Sequence, residues 1–385
     1  MRAENKETSL RAIGPYLQNP KHDAMTVCLL TREIETASLR WKRVNGGDAL
    51  VVPATGRSIP GTAWTTWHWR LTGLEPRTEY AYRVAYGPSG ASVESQTYRF
   101  RTLDREEGVF KAALFFDLHS STNRLKKFAS HLEPDDYEMS FLMGDCWDNP
   151  SDINGAQLVF DIMRSYIDTL NAAEKPMVYL RGNHEFRGGF CPRMAWLFDL
   201  PNLDPAASRC EQEHQFTLQA GPVWFLAMDC GEDGDRQPEL FQPYRELQRD
   251  WLSEVLASGE GEQSPWRVYL SHIALYNENI WNSEPSRKCW EELLRGADID
   301  LAMAGHDHEL RYLTAGKDYT VCSSYKNAEG VLIENKWTMT PPYPVFMCPQ
   351  SGFTLLNATP DTLDIRVINA SDGSIRFQRT YQAKR

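Results

Sequence analysis

At 385 residues the chain exceeds the usual length of one domain, so two domains, each burying its own core, are the first expectation. Apolar residues at 42% and charged residues at 24% are ordinary for a globular protein and exclude a fibrous or disordered chain. The formal charge of -11 excludes the broad basic face that non-specific contact with nucleic acid or anionic lipid needs, so no nucleic-acid-binding surface is expected.

No apolar run approaches the roughly 20 residues that span a bilayer, and the start, Met1-Arg2-Ala3-Glu4-Asn5-Lys6-Glu7, lacks the apolar core of a signal peptide. The eight cysteines (Cys28, Cys146, Cys191, Cys210, Cys230, Cys289, Cys322 and Cys348) stand singly, with no C-x-x-C pair. A cytoplasmic chain with reduced thiols is the expectation. An exported chain that has lost its leader would read the same way.

From Ile13 to Leu103 the pattern predicts short alternating strands, among them Met25–Leu30, Ala37–Trp41 and Tyr80–Val84, separated by turns such as Asn45-Gly46-Gly47 and Gly87-Pro88-Ser89-Gly90. This rhythm is that of a β-sandwich. The segment from Leu71 to Val84, with Tyr80 and Tyr82, resembles the tyrosine-corner region of fibronectin type III domains. The domains expected are therefore 1–106, a fibronectin type III-like β-sandwich, and 107–385, a second domain of different texture.

In that second part apolar strands each run into polar residues. Ala112–Phe116 leads to Asp117, Phe141–Met143 to Gly144-Asp145, and Pro176–Leu180 to Arg181-Gly182-Asn183-His184. Trp266–Leu270 leads to His272, and Ile299–Met303 to Gly305-His306. Helical segments lie between them, which predicts an α/β domain with its ligand site at the carboxyl ends of the strands. Alternating strands return in the tail at Thr362–Ile368 and Ile375–Phe377, and are expected to close the second sheet of this domain.

The strand ends carry Asp117-x-His119, Gly144-Asp145-x-x-Asp148-Asn149, Gly182-Asn183-His184-Glu185, Ser271-His272 and Gly305-His306-x-His308. Carboxylate, imidazole and amide donors together suit borderline divalent ions such as manganese, iron or zinc. Each piece alone has a structural reading: a turn at Asp117, a helix cap at Asp145, a core histidine at His272. In extended chain His306 and His308 would point to one side. Alternation would likewise turn Cys146 away from Asp145, which argues against a catalytic thiol.

Taken in order, the five elements resemble the signature of the calcineurin-like metallophosphoesterases: D-x-H, G-D-x-x-D, G-N-H-[DE], a later H, and G-H-x-H. The resemblance covers roughly residues 109 to 370 and implies a four-layer α/β domain, two mixed sheets flanked by helices. It implies that Asp117, His119 and His308 bind one divalent transition-metal ion, that Asn183, His272 and His306 bind a second, and that Asp145 bridges them. It further implies His184 as catalytic imidazole and Asp148 as the carboxylate that orients it, with Glu185 a structural hydrogen-bond acceptor. The activity implied is hydrolysis of a phosphate monoester or diester by a hydroxide shared between the ions, His184 protonating the leaving oxygen. The partner implied is thus a phosphorylated substrate.

A sandwich ahead of such a domain resembles the purple acid phosphatases, as do Tyr16-Leu17-Gln18-Asn19-Pro20 and Gln248-x-x-Trp251-Leu252. Those enzymes carry an iron-binding tyrosine three residues after the bridging aspartate, where this chain has Asp148, and they lack the counterpart of His119. Leu180-Arg181-Gly182-Asn183-His184-Glu185 is similar to the L-R-G-N-H-E of Ser/Thr protein phosphatases, whose arginine contacts phosphate. This makes Arg181 a phosphate-contact candidate, with an ion-pair role as the alternative. The arginine those phosphatases place after G-D-x-x-D is replaced by Asn149. A protein phosphatase and a non-catalytic binding protein are the competing readings.

Overall fold

The computed structural model describes residues 11–88, 91–105, 108–151, 156–200, 214–234, 236–326 and 332–384. The expected domain boundary at 106 and 107 lies outside these residues, as do Cys210 and the Ser89-Gly90 part of one expected turn.

The N-terminal strands form two sheets. Ala12–Gln18, Ala24–Arg32, Arg57–Ser58 and Trp64–Thr72 make one, and the other is built around Thr36–Arg43 and Glu79–Gly87. Their inner faces bury Val27, Leu29, Leu39, Trp67, Trp69, Tyr82 and Val84 in one cluster, the period-2 burial expected of a sandwich. Tyr80 closes the corner, its hydroxyl accepting the Glu75 backbone N–H at 2.9 Å.

Two six-stranded mixed sheets follow. The first joins Met177–Leu180, Met139–Met143 and Phe110–Phe115 in parallel, and the second runs Val223–Ala227, Trp266–Leu270, Leu301–Ala304 and Val345–Met347 in parallel. Phe110, Leu114, Phe141 and Met143 of the first sheet pack on Phe225, Val268, Leu270 and Met303 of the second. Helices Thr122–Ala129 and Ala156–Thr169 cover the outer face of the first sheet, and Pro238–Ala257 and Ile280–Arg295 that of the second. Four layers result, and the parallel strands are buried on both faces, which is why they read as continuous apolar runs.

The tail corrects one expectation. Gly352–Ala358 pairs antiparallel with Phe110–Phe115, Phe110 opposite Ala358, and Thr362–Asn369 and Ile375–Gln382 extend that same sheet. They complete the first sheet and not the second. Periodicity shows that a segment is a strand, but its neighbour is set by contacts far along the chain.

The sandwich is packed firmly on the α/β part. Its outer residues Ile13, Tyr16, Cys28, Leu30 and Trp64 share one apolar cluster with Phe160, Met163, Tyr179 and Leu197, and the Trp64 and Phe160 rings stack at 4.6 Å. Tyr16 Oη donates to Leu197 O at 2.5 Å, Gln18 Nε2 to Met177 O at 2.5 Å, and Tyr82 Oη to Ala173 O at 2.6 Å. Burial would raise the carboxyl pKa of Asp199, but His68, Thr26 and Asn19 of the sandwich hold it down at about 2. We propose that the sandwich and the α/β part remain the two domains expected from the sequence, joined through this shared core. Trp64→Ala is expected to destabilise the whole chain by about 3–5 kcal/mol, the cost of emptying a large aromatic site. Urea unfolding followed by far-UV circular dichroism should show this as one displaced transition and not as loss of the sandwich alone.

Candidate metal centre

The first sheet delivers Asp117, Asp145 and Asn183 two or three residues beyond its parallel strands, and the second delivers His272 and His306 in the same way. The loops are stitched side by side: Asp117 N–H bonds Gly144 O at 3.2 Å, His119 N–H bonds Asp145 O at 2.7 Å, and Gly305 N–H bonds His272 O at 3.0 Å. The His272 ring lies against Gly144, where an added Cβ would come within 2.3 Å of Nδ1. At Gly182 an added Cβ would come within 2.3 Å of Asp145 Oδ1. Only glycine lets these three loops approach this closely.

Asp117, His119, Asp145, His306 and His308 all have positive φ, between 45° and 71°. The expectation that His306 and His308 point to one side of an extended chain is therefore wrong in its reason, because both sit in the left-handed region. Such residues are costly and gather at functional sites, where the surrounding structure over-determines them.

The donors converge. The ligand atoms of Asp117, His119 and His308 lie within 4.8 Å of one another, and so do those of Asp145, His272 and His306. His119 Nε2 is 3.1 Å from His308 Nε2 and 3.8 Å from Asp145 Oδ2, and His308 Nε2 is 3.3 Å from Asp117 Oδ1. Asn183 Oδ1 stands 3.1 Å from His306 Nδ1. His272 Nε2 lies 3.2 Å from Asp145 Oδ2 yet makes no well-directed hydrogen bond, while its Nδ1 donates to Met143 O at 2.9 Å. An orphaned, fully buried imidazole nitrogen facing two buried carboxylates is a donor set that fits divalent metal ions.

The electrostatics agree. Burial opposes charge on His272, but Asp145, followed by Asp117, raises its pKa to about 10, so the pocket favours positive charge at this point. Burial, and then His272, lower His306 to about 4, leaving it the neutral imidazole that a metal ligand must be.

His184 and Asp148 also meet there. His184 Nδ1 is 2.6 Å from Asp148 Oδ1, and its Nε2 is 3.8 Å from Asp145 Oδ2. Behind them the fully buried Glu185 carboxylate accepts four backbone N–H groups, those of Asp145 (3.0 Å), Cys146 (2.6 Å), Trp147 (2.9 Å) and Gly182 (2.9 Å). Cys146 is buried in the core with Sγ toward Gly144 O.

Arg181 requires correction as a phosphate-contact candidate. Its guanidinium is fully buried, paired with Asp229 at 2.7 Å, bonded to Tyr244 Oη at 3.1 Å and laid over the Phe186 ring at 3.7 Å. A side chain with no solvent exposure and a buried carboxylate partner is a structural ion pair. Trp147, Tyr276, Asn277 and His214 are buried.

Two groups of residues escaped the sequence reading. Arg187 reaches His184, its Nη1 standing 3.0 Å from Nε2. Glu232 and Asp233 hold Arg187, and Asp233 Oδ1 is also 3.5 Å from His306 Nε2, where Asn282 makes a 2.7 Å contact. The available signal was helix Pro238–Ala257, which buries Tyr244, Arg245 and Gln248 on its core face. Polar groups there imply a loop to be held: Gln248 accepts Asp229 N–H and donates to Asp229 O, and Arg245 bonds the carbonyls of Glu232 and Gly234.

A two-sheet α/β domain with carboxylates and histidines gathered at its strand ends defines a metallophosphoesterase-type protein. The calcineurin-like phosphoesterase family model matches residues 112–310, and the chain belongs to that family. Among curated proteins, a phosphoenolpyruvate phosphatase of Allium cepa is 24% identical over 267 residues, 66% of this chain and 52% of its own. Purple acid phosphatase 15 of Arabidopsis thaliana is 24% identical over 346 residues, 76% of this chain and 60% of its own. The chain thus spans between half and three-fifths of the length of these relatives. The solved structure of PhoD has the same fold, with a TM-score of 0.65 at 12% identity over 98% of this chain and 90% of that one.

Glu185→Gln would set an amide NH2 against backbone N–H donors that now face a carboxylate oxygen. It is expected to cost on the order of 3 kcal/mol and to weaken metal retention. Denaturant titration alongside elemental analysis checks both.

Proposed function

We propose that the centre holds two divalent transition-metal ions, manganese, iron or zinc, and hydrolyses a phosphate ester. The observation that carries this reading is the pair of ligand triangles, Asp117/His119/His308 and Asp145/His272/His306, meeting across the buried Asp145. Asp117, His119 and His308 would hold one ion and Asn183, His272 and His306 the other, with Asp145 shared. When bound, such ions lower the pKa of a shared water and neutralise phosphoryl oxygens.

The chain's own residues supply the rest. His184 Nδ1 is committed to Asp148, which leaves Nε2 facing the centre and lets the carboxylate stabilise the imidazolium. Once the imidazole is protonated at Nε2, which here accepts from Arg187 Nη1, that proton can pass to the departing oxygen. The names of the two curated relatives described above, both phosphatases, favour a phosphomonoester over a diester. A protein-phosphatase reading loses its arginine, since Arg181 is buried and Asn149 replaces the other. A complete donor set speaks against a relic that only binds. No helix among the described residues is long and apolar enough to cross a membrane. We retain a reducing, cytoplasmic setting, with which the unpaired state of the seven described cysteines agrees.

The purified protein is expected to carry close to two transition-metal ions per chain and to lack a purple tyrosinate band, since Asp148 stands where the purple enzymes place tyrosine. Elemental analysis and a visible spectrum test this, and Asp145→Asn should lose more metal than a change at any singly used ligand.

His184→Asn should keep its metal and slow esters of aliphatic alcohols about 10²–10⁴-fold, with a much smaller loss on esters of acidic phenols. Rates plotted against leaving-group pKa decide it. Parallel slopes for the two enzymes would remove the general-acid role.

A further inference from the structure

Arg187 ends the short 3-10 turn His184–Phe186, its backbone N–H bonded to His184 O at 3.1 Å. Its side chain is 26% exposed and is held along one edge. Nε lies 2.9 Å from Glu232 Oε2, Nη2 lies 2.5 Å from Glu232 Oε1, and Nη2 also lies 3.1 Å from Asp233 Oδ2. This fork fixes the guanidinium plane and leaves Nη1 as the edge turned away from both carboxylates. The anchor is itself fixed, because the buried Arg245 binds the carbonyls on either side of Asp233.

The remaining edge points into the centre. Nη1 donates to His184 Nε2 at 3.0 Å, so the nitrogen assigned to proton transfer is the acceptor here, and it stands 3.8 Å from Asp145 Oδ2. An arginine acting only as a loop strut would need nothing beyond its carboxylates. Here Nη1 is held against His184 Nε2, at the place where His184 would meet the ester.

We propose that Arg187 is a phosphate-contacting residue, its Nη1 donating to an oxygen of the bound ester beside His184. This rests on the phosphoesterase reading and deepens it. Glu232 and Asp233 together outweigh the single positive charge, so Arg187 contributes a directed hydrogen bond and not a long-range field. Lysine, a point charge without a fork, cannot pair with Glu232 and reach the ester at once.

The test uses the full chain reconstituted with manganese, with inorganic phosphate as probe in isothermal titration calorimetry. Arg187→Ala is expected to weaken phosphate about ten- to a hundredfold with metal content unchanged. Added guanidinium ion should restore part of the loss. Arg187→Lys, which keeps the charge beside Glu232 should the alanine variant fold poorly, is also expected to bind phosphate less tightly than wild type. Affinity within twofold of wild type in either variant, or a loss of bound metal in the lysine variant, would overturn the assignment of Arg187 alone. Wild-type protein that neither binds inorganic phosphate nor hydrolyses an ester would overturn the phosphoesterase reading beneath it.

Discussion

The centre depends on one buried carboxyl group, whose pKa burial and then Asp145 push up to about 8 against backbone donors that favour its ionised form. Glu185 joins the loop after Met139–Met143 to the loop after Met177–Leu180 by accepting four backbone N–H groups, three of them from the consecutive residues Asp145, Cys146 and Trp147. Burying a carboxylate costs several kcal/mol unless it is bonded, and four donors offset that cost. This tie, together with the His119 N–H to Asp145 O bond, holds Asp145 at a φ of 50° with its carboxylate beside His272 and the His184 N–H.

Strain elsewhere follows the same logic. Five candidate site residues, all aspartate or histidine, have left-handed backbone, each at a cost of about 1 kcal/mol. They are held by the stitching between loops and by carboxylate contacts such as Asp117 with the His306 N–H. Behind them the two sheets supply an apolar core that is indifferent to the chemistry. The chain thus concentrates its unfavourable backbone at the centre and balances it with packing among Phe110, Phe141, Phe225 and their neighbours.

Around this centre lies a second layer of buried polar groups that ties distant elements to it. Helix Pro238–Ala257 reaches the loop 229–234 through Tyr244, Arg245 and Gln248, and that loop reaches Arg187 and His306 through Glu232 and Asp233. The sandwich is bound into the same body through Tyr16, Gln18 and Trp64, so the segment Tyr16-Leu17-Gln18-Asn19-Pro20 is an interface and not a free surface.

The sequence alone determined what depends on local pattern: the two textures, the parallel strands, and the residue types set at each strand end, from Asp117-x-His119 to Gly305-His306-x-His308. Those signals are short-range, because alternation and a glycine before a polar residue are decided within a few positions. Only the tertiary structure decided the rest. A local motif leaves Arg181 open between phosphate contact and an ion pair, and Asp229, 48 residues away, holds it in the core. Arg187 carries no motif, and it is aimed at His184 by Glu232, 45 residues on. The tail joined the first sheet because its partner strand begins at Phe110, nearly 250 residues earlier in the pairing with Ala358. Which charge meets which, and which strand lies beside which, depend on contacts that no local window contains.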